Sequence, residues 1–257
     1  MDDYFQKDKN IIQSMNKKKL WFIVLLLLLC FRGFSQNKAD SLSLNFNIKF
    51  NDELLELQKK YVTKNNDTIA VETFKCYISS LQIHFSDNSI FNKKDSYHLL
   101  DLENPITLKI PILPLNSKII SKVVFNIGID SLTNTSGALT ADLDPIKGMY
   151  WAWQSGYINI KIEGKSSSCH NRNNKFQFHI GGYLKPNYTM RKIEIPIAKN
   201  CHPELVEGQI LKKEIDIAID LDKFFSEIHL KEINSVMIPG KEAMKIADLS
   251  AKIFSTE

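Results

Sequence analysis

With 257 residues, 44% of them hydrophobic, and a formal net charge of +4, the chain is long enough for one large β domain with a substantial core. Residues 1–35 hold six of the Lys and Arg residues and three of the Asp and Glu residues, so the rest of the chain is nearly neutral. A nearly neutral domain lacks the basic surface that nucleic-acid binding requires, and we expect no nucleic-acid partner.

The chain begins with a pattern typical of export. In MNKKKLWFIVLLLLLCFRGFSQ, lysines precede an apolar run, and Gly33 and Ser35 form a small-x-small cleavage site, which predicts a signal peptide and a mature chain starting at Gln36. Residues 1–14 place acidic side chains where a signal peptide carries positive charge. We therefore interpret them as a non-native extension and expect translation to start at Met15.

Two membrane alternatives fit the apolar run less well. Leu20 to Phe31 is about half of the ~20 residues that cross a bilayer, so no stable membrane span is expected. A lipoprotein anchor at Cys30 would need a small residue directly before it, and Leu29 stands there. The sequence thus favours a periplasmic or extracellular protein.

Three cysteines follow Cys30. Cys76 lies in an apolar run and is expected to be buried. Cys169 and Cys201 lie in polar segments and could form a disulfide, which an odd count neither supports nor excludes. Cys201 begins CHPELVEGQ, which resembles the translated form of a dispersed DNA repeat, so we expect an inserted loop at residues 200–209.

The mature sequence is dominated by β-type patterns. It opens with LSLNFNIKF, whose period of two predicts a half-buried strand. Similar runs follow, bounded by Asn, Asp, Gly, Ser or Pro: ETFKCYISSLQIHF, SYHLLDL, ITLKIPIL, IISKVVFNIGI, GYINIKIEG, KFQFHIGGYL, RKIEIPI and EIDIAIDL. Many short strands separated by turns predict an all-β fold, an antiparallel β-sandwich with long loops, as one domain over residues 36–257.

Helical patterns are rare. LLELQKKYVTK, residues 54–64, is interpreted as a short helix or an irregular segment. In KEAMKIADLSAKIF, apolar residues recur at helical spacing: Met244, Ala247, Ala251 and Phe254. This spacing predicts a short C-terminal helix that packs against the sheet.

A long connection between two predicted strands gathers oxygen-bearing side chains: Asp130, Asn134, Asp142 and Asp144. Such oxygens suit calcium, but their spacing is not that of an EF-hand. The alternative, which we favour, is that they hydrogen-bond their own backbone in successive turns.

The sequence contains no hydrolytic nucleophile motif, phosphate-binding loop or zinc-type spacing of Cys and His, so we do not expect an enzyme.

The most unusual stretch is GMYWAWQSGYINIKIEG, where Trp151 and Trp153 would share one face of a strand. They can be core residues, or an aromatic surface that stacks on sugars with Tyr150 and Tyr157. They can also be substrates for oxidation: a tryptophan beside copper can be opened to kynurenine, whose aniline nitrogen can bind a metal.

Two histidines are candidate ligands. In KFQFHIGG the apolar residues alternate with Gln177 and His179, so His179 is not part of the apolar stripe. A neutral imidazole is a common ligand of copper and zinc, although a structural hydrogen bond is the simpler role for one histidine. His98, in SYHLLDL, is the second candidate.

The order of these motifs resembles the MbnP-like family of exported bacterial proteins, named for a protein of methanobactin operons. The resemblance is carried by FKCYISSLQI, SYHLLDLENP, FNIGIDSLTNTSGALTADLDPIKGMYWAWQSGYINIKIEG and FQFHIGGY, with a similar tail ending in VMIPGKEAMKIADLSAKIF. It runs from about Leu42 to Ile197. It implies a β-rich periplasmic copper-binding protein whose site can include a kynurenine, made from tryptophan by a di-haem peroxidase-like partner enzyme.

On this resemblance, Trp151 and Trp153 are candidates for the oxidised tryptophan and His179 for a copper ligand. Some related copper proteins have a histidine two residues after that tryptophan, whereas this chain has Trp153 after Trp151. His98 or Met149 would then complete the site, since copper accepts imidazole and thioether ligands. Two alternatives stay open: a binding module with an aromatic ligand face and structural calcium, and a family fold that has lost its metal site.

Overall fold

The computed structural model describes residues 41–93, 96–112, 118–153, 156–198 and 212–256. The predicted signal peptide, the mature start at Gln36, the inserted loop at 200–209 and Cys201 lie outside these ranges. No helix within them is long and apolar enough to cross a membrane.

The described chain is mostly β-structure. The strands are β1 (Ser41–Phe50), β2 (Glu53–Leu54), β3 (Lys60–Val62), β4 (Thr68–Phe85), β5 (Ile90–Asn92), β6 (Tyr97–Asp101), β7 (Lys109–Ile112), β8 (Ile120–Ile127), β9 (Tyr150–Trp151), β10 (Gly156–Ser166), β11 (Lys175–Gly181), β12 (Arg191–Pro196), β13 (Lys212–Asp220), β14 (Ser235–Val236) and β15 (Phe254–Thr256). The α-helices are α1 (Ser131–Thr135), α2 (Leu221–Ser226) and α3 (Lys241–Ser250). Within the described residues, 3₁₀ turns cover Pro105–Leu108, Ala141–Leu143, Pro145–Lys147 and Arg172–Asn174.

The described strands form two sheets that pack as a sandwich. The 5-stranded sheet has the order β15-β13-β1-β2, with β7 paired to β1. The 10-stranded sheet has the order β12-β8-β4-β10-β11-β14, with β3, β5 and β6 paired to β4, and β9 to β10. Most pairings are antiparallel, as predicted, but β1–β13 and β11–β14 are parallel. Parallel neighbours need a long connection, and residues 51–211 separate β1 from β13.

The main core lies between the sheets. The alternation in β1 buries Leu42, Leu44, Phe46, Ile48 and Phe50, as the period of two predicted. Phe46 meets the other sheet directly, because its ring lies 5.8 Å from that of Phe125 in β8 in an edge-on arrangement. Cys76 and Cys169 are both fully buried.

The C-terminal helix is confirmed, but the predicted face is shifted. Helix α3 buries Ala243, Ile246, Ala247 and Ser250, while Met244 is partly exposed. The prediction placed Phe254 on the same helix, whereas Phe254 belongs to β15 and anchors the chain after the helix ends. Residues 54–64 form turns and the short strand β3 rather than a helix, which agrees with the irregular alternative.

Candidate functional site

A second apolar cluster lies on the outer face of the larger sheet. In β4, Cys76 and Ile78 point into the main core, so Tyr77 between them points to the other face. The buried members of this cluster are Tyr77, Leu99, Ile129, Leu143, Met149, Trp151, Tyr157 and Ile158. The loop from Asp130 to Gly148 covers the cluster, because the Tyr157 hydroxyl accepts a hydrogen bond from Leu139 N and donates to Leu143 O.

The two tryptophans have different environments. Trp151 is 7% exposed, whereas Trp153 is 64% exposed, and their ring centroids are 5.7 Å apart. The six-membered ring of Trp151 lies against Gly181, so closely that a Cβ there would come within 2.6 Å of Cζ3. Gly181 is therefore the residue that makes room for Trp151 on β11.

His179 shares this face with Trp151. Its neighbours Phe178 and Ile180 belong to the main core, so His179 and Gly181 both point to the outer face. The side chain is largely buried, with 7% of the residue exposed. The structure thus places the Trp151 ring against Gly181, which lies on the same face of β11 as His179 and two residues further along.

A carboxylate holds the His179 ring. Nε2 of His179 lies 2.6 Å from Oε1 of Glu163 on β10, and Gln177 Nε2 also donates to that oxygen at 3.4 Å. The hydrogen bond with His179 lowers the pKa of Glu163 to about 2, and the nearby charge of Lys161 adds to this, while partial burial acts in the opposite direction. An ionised carboxylate only accepts hydrogen bonds, so Nε2 of His179 is the donor in this contact.

The second ring nitrogen of His179 is available. Nδ1 has no hydrogen-bond partner among the described residues. In a neutral imidazole whose Nε2 is protonated, Nδ1 has the lone pair and can bind a metal ion. Sequence reasoning missed Glu163, although the alternation in INIKIEG places it on the outer face, because its partner could not be known without the pairing of β10 with β11.

His98 lies on the opposite face of the sheet from His179. Paired residues on neighbouring strands point to the same face, and His98 is paired with Ile78, whose side chain lies in the main core. His179 is paired with Lys161, and Lys161 with Lys75. Lys75 directly precedes the core residue Cys76 and so points to the outer face. Burial and the charge of Lys93 lower the pKa of His98 from 6.5 to about 4, while Asp142 opposes the shift. Its Nε2 is buried without a hydrogen-bond partner in the described structure. The fold does not bring the two predicted imidazoles together.

Met149 is nearer to the tryptophans. It is fully buried in the same outer cluster as Trp151, one residue before β9. Within the described ranges, no group of three or more His, Cys, Asp or Glu side chains is arranged to hold a metal ion. The side chains on this face that could bind a transition metal are therefore few: the Nδ1 nitrogen of His179 and the buried thioether of Met149.

The carboxylates of the acidic loop, Asp130, Asp142 and Asp144, all have hydrogen-bond or ion-pair partners within the protein. Asp130 caps α1 by accepting from Thr133 N at 2.9 Å, and Asp144 caps a 3₁₀ turn by accepting from Ile146 N at 3.0 Å. Asp142 accepts from Leu99 N at 3.2 Å and pairs with Lys147 at 2.8 Å. Asp130 and Asp144 thus bond to the backbone of their own turns, whereas Asp142 bonds to β6 and to a lysine side chain.

Asn134, also predicted as a calcium or turn residue, joins α1 to β10. It is 2% exposed, donates to Ile129 O and Asp130 O, and accepts from Tyr157 N at 2.8 Å. Asn134→Ala should lower the free energy of unfolding by about 2 kcal/mol, because it leaves buried backbone groups unpaired. Urea denaturation measures this; the exposed neighbour Thr135 is the control, and equal losses for Thr135→Ala and Asn134→Ala would contradict the role of Asn134.

Comparison with known proteins identifies the family and supports the fold. A family model described as MbnP matches residues 39–238. The solved structure of MbnP from Methylosinus trichosporium is similar, with a TM-score of 0.51 and 11% identity over 80% of this chain and 82% of that chain. A comparison with curated proteins gives no match. Since the family model covers well over half of the sequence, the chain belongs to the MbnP family.

Proposed function

We propose that this protein is an exported, non-catalytic copper-binding member of the MbnP family, with His179 as a ligand and Trp151 as the tryptophan that is converted to kynurenine. The observation that carries the proposal is the shared face: Trp151 lies over Gly181, two residues from an imidazole whose Nδ1 has no hydrogen-bond partner in the described structure. Neutral imidazole nitrogen suits copper.

Burial favours Trp151 over Trp153 as the modified residue. A ligand derived from Trp151 would stay on the His179 face and be held by the outer cluster, whereas the Trp153 ring is 64% exposed. A ligand fixed by packing binds a metal in a defined geometry, and a solvent-exposed side chain must first be ordered. Trp153 would instead shield Trp151 from solvent, since the two rings are 5.7 Å apart.

The conversion needs an oxidant that this chain does not supply. Two hydrogen peroxide molecules deliver two oxygen atoms to the indole C2–C3 bond, which breaks to give N-formylkynurenine, and the peroxides leave as two water molecules. Hydrolysis then releases formate and leaves the aniline nitrogen. We propose a di-haem peroxidase-like enzyme as the partner, acting on the exported protein outside the cytoplasm.

Peptide mapping of protein secreted by its own host tests this proposal. We expect the peptide that contains Trp151 to show a net gain of one oxygen and loss of one carbon, and the modified protein to bind copper. Unmodified tryptophans together with no copper binding would contradict the proposal. A change at Trp153 alone would contradict the assignment to Trp151.

An aromatic ligand face is the second candidate function, favoured by the exposed indole of Trp153. Because Trp151 is buried, such a face would depend on Trp153 without help from its neighbour. It predicts sugar binding that needs no metal and is lost in Trp153→Ala, while His179→Ala has no effect.

A further inference from the structure

We propose that Glu163 is a positioning residue for the copper site: its carboxylate holds Nε2–H of His179 and thereby presents Nδ1 of the same ring to the metal. This inference rests on the proposed function. It adds to the site a residue that touches neither the metal nor Trp151 and acts only through His179.

The contacts of Glu163 support this role. In the pairing of β10 with β11, Lys161 lies opposite His179 and Glu163 lies opposite Gln177, so Glu163 reaches His179 diagonally across the two strands. Its Oε1 accepts from His179 Nε2 at 2.6 Å and from Gln177 Nε2 at 3.4 Å, and Lys161 Nζ lies 3.8 Å away. The two hydrogen bonds and the nearby ammonium group hold the carboxylate in place on a partly buried sheet surface.

Such an arrangement is what a metal-binding histidine requires. A ligating imidazole usually donates its other N–H to a carboxylate or carbonyl group, which fixes the ring and makes the bound nitrogen a better donor. Here the side chain of His179 is 9% exposed and that of Glu163 is 24% exposed, so water screens the contact only partly. The hydrogen bond is therefore strong enough to orient the ring.

A competing interpretation predicts the opposite effect. If copper bound Nε2 instead, Glu163 would occupy the metal's place and compete for His179. Removing the carboxylate charge would then strengthen copper binding. The two interpretations can be separated by the sign of the change in affinity.

Glu163→Gln is the test variant, since it keeps the size of the side chain and removes its charge. Glu72→Gln is the matched control, because Glu72 pairs with Lys165 on the same sheet and has a comparable exposure of 32%. Copper affinity is measured by titration for both variants. We expect Glu163→Gln to bind copper about 10- to 100-fold more weakly than the wild type, the usual effect of losing such a partner, and Glu72→Gln to match the wild type.

A second readout uses the metal-free protein. NMR should show a solvent-protected, downfield Nε2–H resonance of His179 in the wild type, which shifts upfield in Glu163→Gln because the acceptor is no longer charged. Unchanged or tighter copper binding in Glu163→Gln, with copper binding in the wild type, would overturn the positioning role alone. If the wild type binds no copper, the proposed function fails and this inference fails with it.

Discussion

Replacing His179 with alanine is expected to abolish copper binding while the protein stays folded. His179 is the imidazole on the Trp151 face, and its Nδ1 has no hydrogen-bond partner among the described residues. Loss of a direct ligand should weaken binding by more than the ~10- to 100-fold typical of an outer partner. After the substitution, Glu163 keeps Gln177 and Lys161 as neighbours, so its charge is not left alone.

Copper titration with and without the substitution measures this effect, and thermal unfolding confirms that the variant is folded. The control is His229→Ala, because His229 is exposed and lies in the turns after α2 rather than on β10 or β11. We expect the control to bind copper as the wild type does. Wild-type affinity in His179→Ala would show that the ligand lies elsewhere.

Gly181→Ala is expected to have the largest effect on stability among the changes considered. A Cβ at this position would lie 2.6 Å from Trp151 Cζ3 and 2.7 Å from the carbonyl oxygen of Tyr157. The indole could move, but the carbonyl belongs to the paired strand β10 and cannot move without disturbing the ladder. We expect a loss of about 3 kcal/mol or more, at the upper end of overpacking costs.

Urea denaturation and tryptophan fluorescence test this prediction together, on protein produced without the oxidising enzyme so that Trp151 is intact. The displaced Trp151 ring should become more exposed and emit at longer wavelength. Gly240→Ser provides the control, because a Cβ there meets no atom within 4 Å and serine is a favourable residue at the start of α3. If Gly181→Ala is as stable as this control, the Trp151 ring does not pack against Gly181 as described.

The sequence predicted local structure well because strand alternation is a local property. The alternation in β1 fixed which residues enter the core, and the alternation around His179 placed it on the opposite face. The parallel pairing of β1 with β13 could not be predicted, since it depends on how distant segments meet. Helix α3 was predicted with its face shifted because Ala and Met at neighbouring positions satisfy several helical registers.

The candidate site could be read from the sequence only in part, because its contacts join residues that are distant along the chain. Motif order singled out His179 and the tryptophans, but the sequence alone could not separate buried Trp151 from exposed Trp153. Whether His98 could join His179 in one site depended on which face of the sheet His98 occupies. Its pairing with Ile78 places it on the core face, opposite His179. Glu163 was missed because its role requires the diagonal contact between two strands.

Anomalous diffraction at the copper absorption edge, from crystals of copper-loaded protein, locates the metal directly. We predict a peak within bonding distance of His179 Nδ1, on the sheet face that carries Trp151. A peak at His98, at the acidic loop, or on Nε2 of His179 in place of Glu163 would contradict the proposed site, as would the absence of any peak.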